Sequence, residues 1–392
     1  MSNSWKTTLS MHRHPQGEAS GRAAIDMPET ARPTQFRDYP GPLPSSNSQL
    51  PSPISPNLVL AAVRGEPTPR VPTGPLAVHF CAGLAGATLR EYSTSASVLA
   101  DSVLRYHARF RPDAVWLSAD TWVSAEAMGA RIGASDDHQP LGGVGGPLVT
   151  TAADLDRLPP PDVSRQGRYP LMVDAMRRLK AALGPDTCVV ACLDQYPFSL
   201  AAALMGLDAI MVRLADDLSF VQALMDRCEA YAVAYGRALS EAGADILSGG
   251  DSPAGLLGPA LYEAVALPAE RRVIHALRAA TDKPVALHIC GKTTRLLPLM
   301  ASSGANILEL DHAVDLGPAC HTVGPAVTVW GNLDPVSVLA DGTPELAARQ
   351  ARSAIDAVRA AGHRRFVLSS GCTLAVGTPH ENLDALLRET AW

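Results

Sequence analysis

The chain contains 392 residues, of which 47% are hydrophobic, and its formal net charge is −6 at neutral pH. This length and composition suffice for a large core in a single domain. The mildly acidic balance argues against electrostatic binding of nucleic acid or of an anionic membrane surface. Seven cysteines spread along the chain predict reduced thiols in the cytoplasm instead of a disulfide framework. No apolar run approaches the ~20 residues of a membrane-spanning helix, and the first 20 residues contain no apolar signal-peptide core.

The N-terminal segment differs in composition from the rest of the chain. Six prolines and five serines lie between Pro40 and Pro56. Such a segment buries too little apolar surface to offset the entropy lost on ordering. We predict a disordered Pro/Ser-rich tail over residues 1–56 and one folded domain over residues 57–392.

From Asn57 onward, short runs with β character alternate with stretches of helix formers, a pattern typical of α/β proteins with a parallel sheet. Eight strands are predicted, at 76–80, 114–119, 188–193, 245–249, 285–289, 307–310, 327–330 and 366–369. Helices are predicted at 95–110, 171–183, 218–242, 259–280, 294–303, 344–361 and 382–389. Eight strands with interleaved helices predict a (β/α)8 TIM barrel, whose catalytic groups lie at the C-terminal ends of the strands.

Two of the predicted strands lead into residues of types that commonly bind metals, histidine and cysteine. His288 and Cys290 are two positions apart, so on a strand both side chains point to the same face. Cys372 follows a similar run and lies 82 positions beyond Cys290 (372 minus 290). Zinc binds both imidazole and thiolate, and three protein ligands leave a fourth position open, as in catalytic sites. The alternative is that these cysteines are ordinary core residues.

Polar residues follow the other predicted strands as well. They are His79 and Cys81, Ser118 and Asp120, Asp194 and Gln195, Gly250 and Asp251, Asp311 and His312, and Gly331 and Asn332. A barrel would collect these groups at one mouth, although loops are polar in any protein. The glycine-rich segment 142–146 does not match a phosphate-binding loop and is interpreted as a flexible loop near the mouth.

Several segments resemble the uroporphyrinogen decarboxylase superfamily. They are the domain start at 62–72, Ser252-Pro253 after Gly249-Gly250-Asp251, the segments 310–315 and 331–335, and Gly371-Cys372 followed by 378–382. His288-Ile289-Cys290-Gly291 with Cys372 is similar to the zinc motif of one branch, the methylcobalamin:coenzyme M methyltransferases and their corrinoid-dependent relatives. The resemblance implies a (β/α)8 barrel, zinc held by those three residues, and methyl transfer between a corrinoid such as cobalamin and a thiol or another acceptor.

Three carboxylates are candidate catalytic residues. Glu309 and Asp311 are two positions apart at the end of the strand after His288, so either could fill the open metal position. Asp311 is favoured because it corresponds to the acidic position in the family pattern. The alternative is a carboxylate that accepts hydrogen bonds from a neighbouring loop. Asp251 is a candidate for orienting the substrate.

Two other functions remain open. The decarboxylases proper use no metal and carry an arginine-rich segment near the first strand, where this chain has His79-Phe80-Cys81-Ala82-Gly83-Leu84. A substrate with eight carboxylates would lack its cationic partners there, so a metal-free decarboxylase is the second hypothesis. The third is a catalytically silent barrel that binds a corrinoid protein or a small ligand.

The source of the corrinoid is also open. The sequence contains no Asp-x-His-x-x-Gly signature of corrinoid-binding domains. Cobalamin is therefore expected as a free cofactor or on a partner protein that docks over the barrel mouth. Coenzyme M, another thiol and a folate amine all remain candidate acceptors, and the direction of transfer is not readable from the residues.

Overall fold

The computed structural model describes residues 57–392, so the predicted tail over 1–56 lies outside the described residues. Seven parallel strands form one sheet in which each strand pairs with the next in sequence. They are β1 (Ala114–Leu117), β2 (Cys188–Gln195), β3 (Ile246–Gly250), β4 (Val285–Ile289), β5 (Ile307–Leu310), β6 (Thr328–Leu333) and β7 (Phe366–Ser370). Seven of the eight predicted strands are thereby confirmed.

The predicted strand at 76–80 is wrong, because residues from His79 onward form a helix. The short segment 72–74 occupies the eighth position of the barrel instead. The Gly74 N–H donates to the Leu368 carbonyl at 3.0 Å, and the Thr73 carbonyl accepts from the Ala114 N–H at 3.0 Å. This segment therefore joins β7 to β1 and closes the (β/α)8 barrel.

Proline explains why the closing segment stays short. Pro72 begins it and Pro75 follows it, and both lack the N–H that a longer strand ladder would need. Gly74 is required by its neighbours, because a Cβ atom there would lie 2.4 Å from Cζ2 of Trp330. The Gly74 carbonyl also accepts hydrogen bonds from the indole N–H groups of Trp116 and Trp330, at 3.3 and 3.0 Å.

Helices connect the strands and cover the sheet. The described residues contain α1 (Leu58–Arg64), α2 (His79–Ala85), α3 (Leu89–Thr94), α4 (Ala96–Phe110), α5 (Val123–Ala127), α6 (Ala152–Arg157), α7 (Tyr169–Leu183), α8 (Pro197–Met205), α9 (Leu207–Asp216), α10 (Leu218–Glu241), α11 (Gly258–Ala264), α12 (Ala266–Thr281), α13 (Leu297–Ala301), α14 (Leu316–Val323), α15 (Pro344–Ala360) and α16 (His380–Arg388). A 3₁₀ segment, Ser252–Leu256, follows β3, and a π-helical turn, Pro335–Ala340, follows β6. No single helix in this part of the chain is long and apolar enough to cross a membrane; α8 and α9 pass that test only as a pair, which is bent by 107°.

Strand side chains alternate between two hydrophobic clusters. The cluster inside the barrel contains Val59, Val63, Leu76, Val78, Ala114, Trp116, Cys188, Val190, Ile246, Ala286, Ile307, Trp330 and Val367. The intervening strand residues, such as Val189 and Leu287, belong to the larger cluster that includes the covering helices. Because strand side chains alternate with a period of two, the next residues along the interior face are polar ones, His288 after Ala286 and Glu309 after Ile307. The barrel interior is thus apolar below and polar at the C-terminal mouth.

Candidate metal centre at the barrel mouth

His288, Cys290 and Cys372 converge at the C-terminal ends of β4 and β7. One ligand atom from each lies within 4.8 Å of the other two. His288 Nε2 is 2.9 Å from Cys290 Sγ, and the two Sγ atoms are 3.8 Å apart. The fold therefore brings together two segments that are 82 positions apart in the chain.

The second ring nitrogen of His288 fixes the orientation of the imidazole. Nδ1 lies 3.1 Å from the backbone oxygen of Glu309. Because a carbonyl can only accept, Nδ1 carries the proton and donates this hydrogen bond. The lone pair of Nε2 is then directed at the thiols, which is the usual arrangement of a metal-binding histidine.

The spacing of the donors fits a tetrahedral zinc ion. Zn–S bonds of ~2.3 Å and Zn–N bonds of ~2.0 Å at tetrahedral angles place two sulfurs roughly 3.8 Å apart and a sulfur and a nitrogen roughly 3.6 Å apart. The Sγ–Sγ distance in the cluster is 3.8 Å and matches this geometry, while the Nε2–Sγ distance of 2.9 Å would lengthen on binding the ion. Cys290 and Cys372 are partly exposed, so a small molecule can reach the cluster.

The electrostatics of the cluster favour a cation. The hydrogen bond with Cys372 outweighs burial and lowers the pKa of Cys290 to about 7, and the Ser252 hydroxyl adds to the effect. The same contact with Cys290, together with burial, raises the pKa of Cys372 to about 12. Burial by itself would lower the pKa of His288. The contact with Cys372 and the charge of Glu309 outweigh burial, and the pKa of His288 is raised. Ionisation of one thiol disfavours ionisation of the other, because two thiolates repel each other. A bound cation would stabilise both thiolates.

Glu309 lies beside His288 on the interior face of the barrel. Its Oε1 accepts a hydrogen bond from Ser248 Oγ at 2.6 Å, and its Oε2 is 3.9 Å from His288 Nδ1. Burial raises the pKa of Glu309 to about 7. The carboxyl group faces inward as predicted, but it contacts the back of the imidazole and does not join the three clustered ligand atoms.

Asp311 holds the loop that carries Cys290. Its Oδ2 accepts from the Gly291 N–H at 2.8 Å, and its Oδ1 accepts from the Ala313 N–H at 2.8 Å. Asn332 supports the same turn, since its Nδ2 donates to the Asp311 carbonyl at 2.9 Å. These contacts are those of the alternative interpretation, a carboxylate that accepts hydrogen bonds from neighbouring loops.

Asp251 is fully buried. Its Oδ1 accepts from the Ser199 N–H at 2.7 Å, and its own N–H donates to the His288 carbonyl at 2.8 Å. Burial raises the pKa of its carboxyl group. Asp251 thus ties the start of α8 to the strand end that carries His288, and it does not line the neighbouring cavity.

A cavity of about 550 Å³ adjoins the cluster. Its lining includes Trp122, Asp194, Gln195, Gly250 and Ser252, together with residues of the glycine-rich loop. Ser252 Oγ accepts from the Cys290 N–H at 3.4 Å, and Gly250 pairs in register with His288. The cavity therefore lies against the strand end that supplies two of the three donors.

Other polar residues predicted at the mouth have structural roles. His79 begins α2 and its Nε2 lies 2.9 Å from the Ala119 carbonyl. Cys81 is buried in the same helix, and its thiol donates to the Ala77 carbonyl at 2.5 Å. Asp120 is ion-paired with Arg168. The sequence alone does not indicate Ser248, Trp122 or the carboxyl oxygen of Asp194 that has no hydrogen-bond partner in the described residues, because their positions follow only from tertiary packing.

Comparison with known proteins places the chain in a family. The model of the uroporphyrinogen decarboxylase (URO-D) family matches residues 55–391. The methylcobamide:CoM methyltransferase MtbA of Methanosarcina acetivorans is 32% identical over 305 residues, which cover 77% of this chain and 86% of the relative. A uroporphyrinogen decarboxylase of Nostoc punctiforme is 30% identical over 312 residues, which cover 78% of this chain and 84% of the relative. A solved methyltransferase from Methanosarcina mazei shares the fold, with a TM-score of 0.75, 24% identity and coverage of 84% of this chain and 96% of that chain.

The chain belongs to the uroporphyrinogen decarboxylase family. Methyltransferases are among its relatives of highest identity. The predicted family and the predicted enzyme class, a methyltransferase, are thereby confirmed.

Proposed function

We propose that the enzyme transfers a methyl group between a corrinoid and a thiol at a zinc ion held by His288, Cys290 and Cys372. The proposal rests on the three ligand atoms that lie within 4.8 Å of one another at the barrel mouth. Zinc bound there would hold a substrate thiol as its thiolate at neutral pH, where a free thiol with a pKa of ~8.5 is mostly protonated.

The protein's residues would tune the reactivity of the bound sulfur. Two thiolates and a neutral imidazole balance a divalent charge, so the donor set leaves an added thiolate electron-rich. The Glu309 carbonyl keeps the His288 ring in its orientation, and Asp311 fixes Gly291 next to Cys290. Mutation of such supporting residues typically lowers metal affinity or activity by about 10- to 100-fold.

The transfer itself is a displacement at carbon. The thiolate sulfur attacks the methyl group of a methylcorrinoid, the S–C bond forms, and the Co–C bond breaks with its electron pair left on cobalt as Co(I). The corrinoid is a substrate in this scheme, free or carried by a partner protein, and approaches through the mouth of the barrel. The reverse reaction, loading a corrinoid from a methylated thiol, uses the same groups. A cytoplasmic location fits the reduced thiols that this site requires.

A metal-free decarboxylase is the second candidate, since decarboxylases are among the relatives. The lining of the cavity argues against it. No arginine, lysine or histidine is among the described residues that line the cavity beside the cluster. A substrate with many carboxylates would lack charged partners there.

The test measures metal content and methyl transfer on the same preparation of the full chain. We expect about one equivalent of zinc and loss of methylcobalamin absorbance on addition of a thiol, with tetrahydrofolate assayed in parallel. Cys290→Ala and Cys372→Ala should each lose the metal and the activity. Cys320→Ala, at a buried thiol on α14, is the control and should keep both.

Two outcomes would contradict the proposal. If Cys290→Ala and Cys372→Ala keep the metal and the activity, the assignment of the ligands is wrong. If the protein binds a corrinoid protein or a small ligand without turnover of methylcobalamin, the catalytically silent barrel is the correct description.

A further inference from the structure

Asp194 is a buried carboxyl group with a free oxygen at the end of β2. The register of β2 shifts between Cys192 and Gln195, and Asp194 has a φ of +64°. Its Oδ2 accepts from the Ser124 N–H at 2.7 Å, whereas Oδ1 has no hydrogen-bond partner among the residues of 57–392. Non-glycine residues with positive φ are uncommon and cluster at functional sites.

The surroundings of Asp194 contain more carboxyl groups than cations. Arg168 pairs with both Asp120 and Glu126, so its single charge is already neutralised. Burial, together with the nearby charge of Asp120, raises the pKa of Asp194 to about 8. A positively charged ligand would supply the partner that the ionised carboxylate lacks.

The cavity beside Asp194 offers further groups suited to a cation. The Gln195 Oε1 atom is buried without a hydrogen-bond partner in the described part of the chain, and the indole of Trp122 contributes an aromatic surface. Arg131 lies next to Gly145 of the glycine-rich loop, but it is not part of the cavity lining. The lining therefore presents a carboxyl group, an amide and an aromatic ring together with hydroxyl groups, and no basic side chain is among the described residues that line it.

This cavity is close enough to the metal cluster for one small molecule to reach both. Gln195 pairs with Gly250, and Gly250 pairs with His288. Two steps between neighbouring strands separate the backbones by ~10 Å. A zinc–sulfur bond, a two-carbon chain and a hydrogen bond to a carboxyl group together cover a span of this order.

We propose that Asp194, with Gln195 and Trp122, binds an ammonium group of the thiol substrate, which makes the substrate a small aminothiol and not an anionic thiol. The inference rests on the proposed function and names the substrate class of the same site. The sulfur of the aminothiol lies at the cluster, and its ammonium group lies against the carboxyl group of Asp194, which lines the cavity. An ammonium group would stabilise the ionised form of Asp194, whereas a sulfonate or carboxylate at that position would oppose its ionisation.

Three thiols with the same two-carbon spacer test the charge preference. They are 2-aminoethanethiol, 2-mercaptoethanol and 2-mercaptoethanesulfonate (coenzyme M), assayed with methylcobalamin and compared per thiolate present. We expect kcat/KM to fall in the order cationic, neutral, anionic, with about tenfold or more between the first and the last.

Asp194→Asn assigns the preference to this residue. Asparagine tolerates positive φ and its side-chain oxygen can still accept from the Ser124 N–H, while the charge is lost. We expect the ratio of kcat/KM for the aminothiol to kcat/KM for the neutral thiol to fall about tenfold. The neutral thiol is therefore the internal control for folding and for the metal site.

A binding measurement separates the ammonium subsite from turnover. Calorimetric titration with 2-(methylsulfanyl)ethylamine and with 2-(methylsulfanyl)ethanesulfonate should show tighter binding of the amine to the wild type and to Cys290→Ala, and loss of that preference in Asp194→Asn.

The outcomes distinguish the two proposals. Methyl transfer with equal or anionic preference, or a preference that Asp194→Asn leaves unchanged, overturns the aminothiol assignment and leaves the proposed function standing. Transfer to none of the thiols overturns the proposed function, and the titrations then test the ammonium subsite by themselves. Asp194-dependent binding of the amine supports the subsite. Equal binding of amine and sulfonate overturns it.

Discussion

The carboxyl group of Asp194 should make the stability of the protein depend on pH. Its pKa in the fold is about 8, above the ~3.9 of an unfolded aspartate. A raised pKa means that the folded state holds a proton that the unfolded chain releases. The stability contributed by this group is therefore full below the unfolded pKa and is lost as the pH rises through about 8.

Asp194→Asn should remove this dependence. Between pH 5 and pH 8, the wild type should lose more free energy of unfolding than the variant, by on the order of 1 kcal/mol or more. Urea unfolding at the two pH values measures the difference. Asp226→Asn, at an exposed position on α10, is the control and should follow the wild type. Equal losses in wild type and Asp194→Asn would show that Asp194 is ionised throughout this range.

Individual residues of the site were predictable where strand geometry alone decides. His288 and Cys290 share a face because they are two apart on a strand, and Cys372 ends a similar run. The roles of Asp311 and Asp194 were not predictable in this way. The role of Asp311 depends on the hydrogen bonds that it accepts from the Gly291 and Ala313 N–H groups. The environment of Asp194 depends on the register shift in β2 and on Arg168, which pairs with Asp120.

At the level of elements, the junction after β7 positions Cys372. A Cβ atom on Gly371 would lie 2.4 Å from the backbone nitrogen of His312 and 3.1 Å from the Asp311 carbonyl carbon. Backbone atoms cannot move aside as a flexible side chain can. Only glycine lets the end of β7 approach the loop after β5 this closely, and Cys372 is the next residue.

Gly371→Ala should therefore weaken metal binding without unfolding the barrel. The inserted methyl group pushes the Cys372 loop away from His288 and Cys290, and we expect a loss of metal affinity of about tenfold or more. Competition with a chelator measures the affinity, and circular dichroism checks the fold. Gly377→Ala, in the same loop with no atom within 4 Å of the added Cβ, is the matched control. Equal affinity in both variants would show that the close approach at Gly371 does not position a metal ligand.

The strands themselves were predictable because buried parallel strands are short apolar runs rich in β-branched residues. The eighth strand was predicted in the wrong place. Leu76 and Val78 do point into the barrel, which produces an alternating pattern, but the chain turns into α2 at His79. The hydrogen bonds that close the barrel fall on Thr73 and Gly74 between two prolines, where no sequence pattern marks a strand.

At the scale of the whole barrel, the apolar residues that stabilise the fold and the polar residues of the candidate site lie at different heights along the barrel axis. Trp116, Trp330 and the apolar interior residues fill the lower part, with the two indole rings 5.8 Å apart in an edge-to-face arrangement. Polar side chains occupy the C-terminal mouth, where the thiols of Cys290 and Cys372 are partly exposed. The fold class was predictable from the alternation of elements, whereas the cavity depends on how the glycine-rich loop and α8 pack over β2 and β3.

X-ray absorption at the zinc edge, on protein with and without an aminothiol, tests the central claim most directly. We expect two sulfur and one nitrogen ligands from the protein, with Zn–S distances of about 2.3 Å, and a third sulfur when the thiol is added. Cys372→Ala, which should lose the metal on purification, should show one sulfur fewer when zinc is added back. A metal shell without sulfur, or one that does not change when thiol is added, would contradict the account.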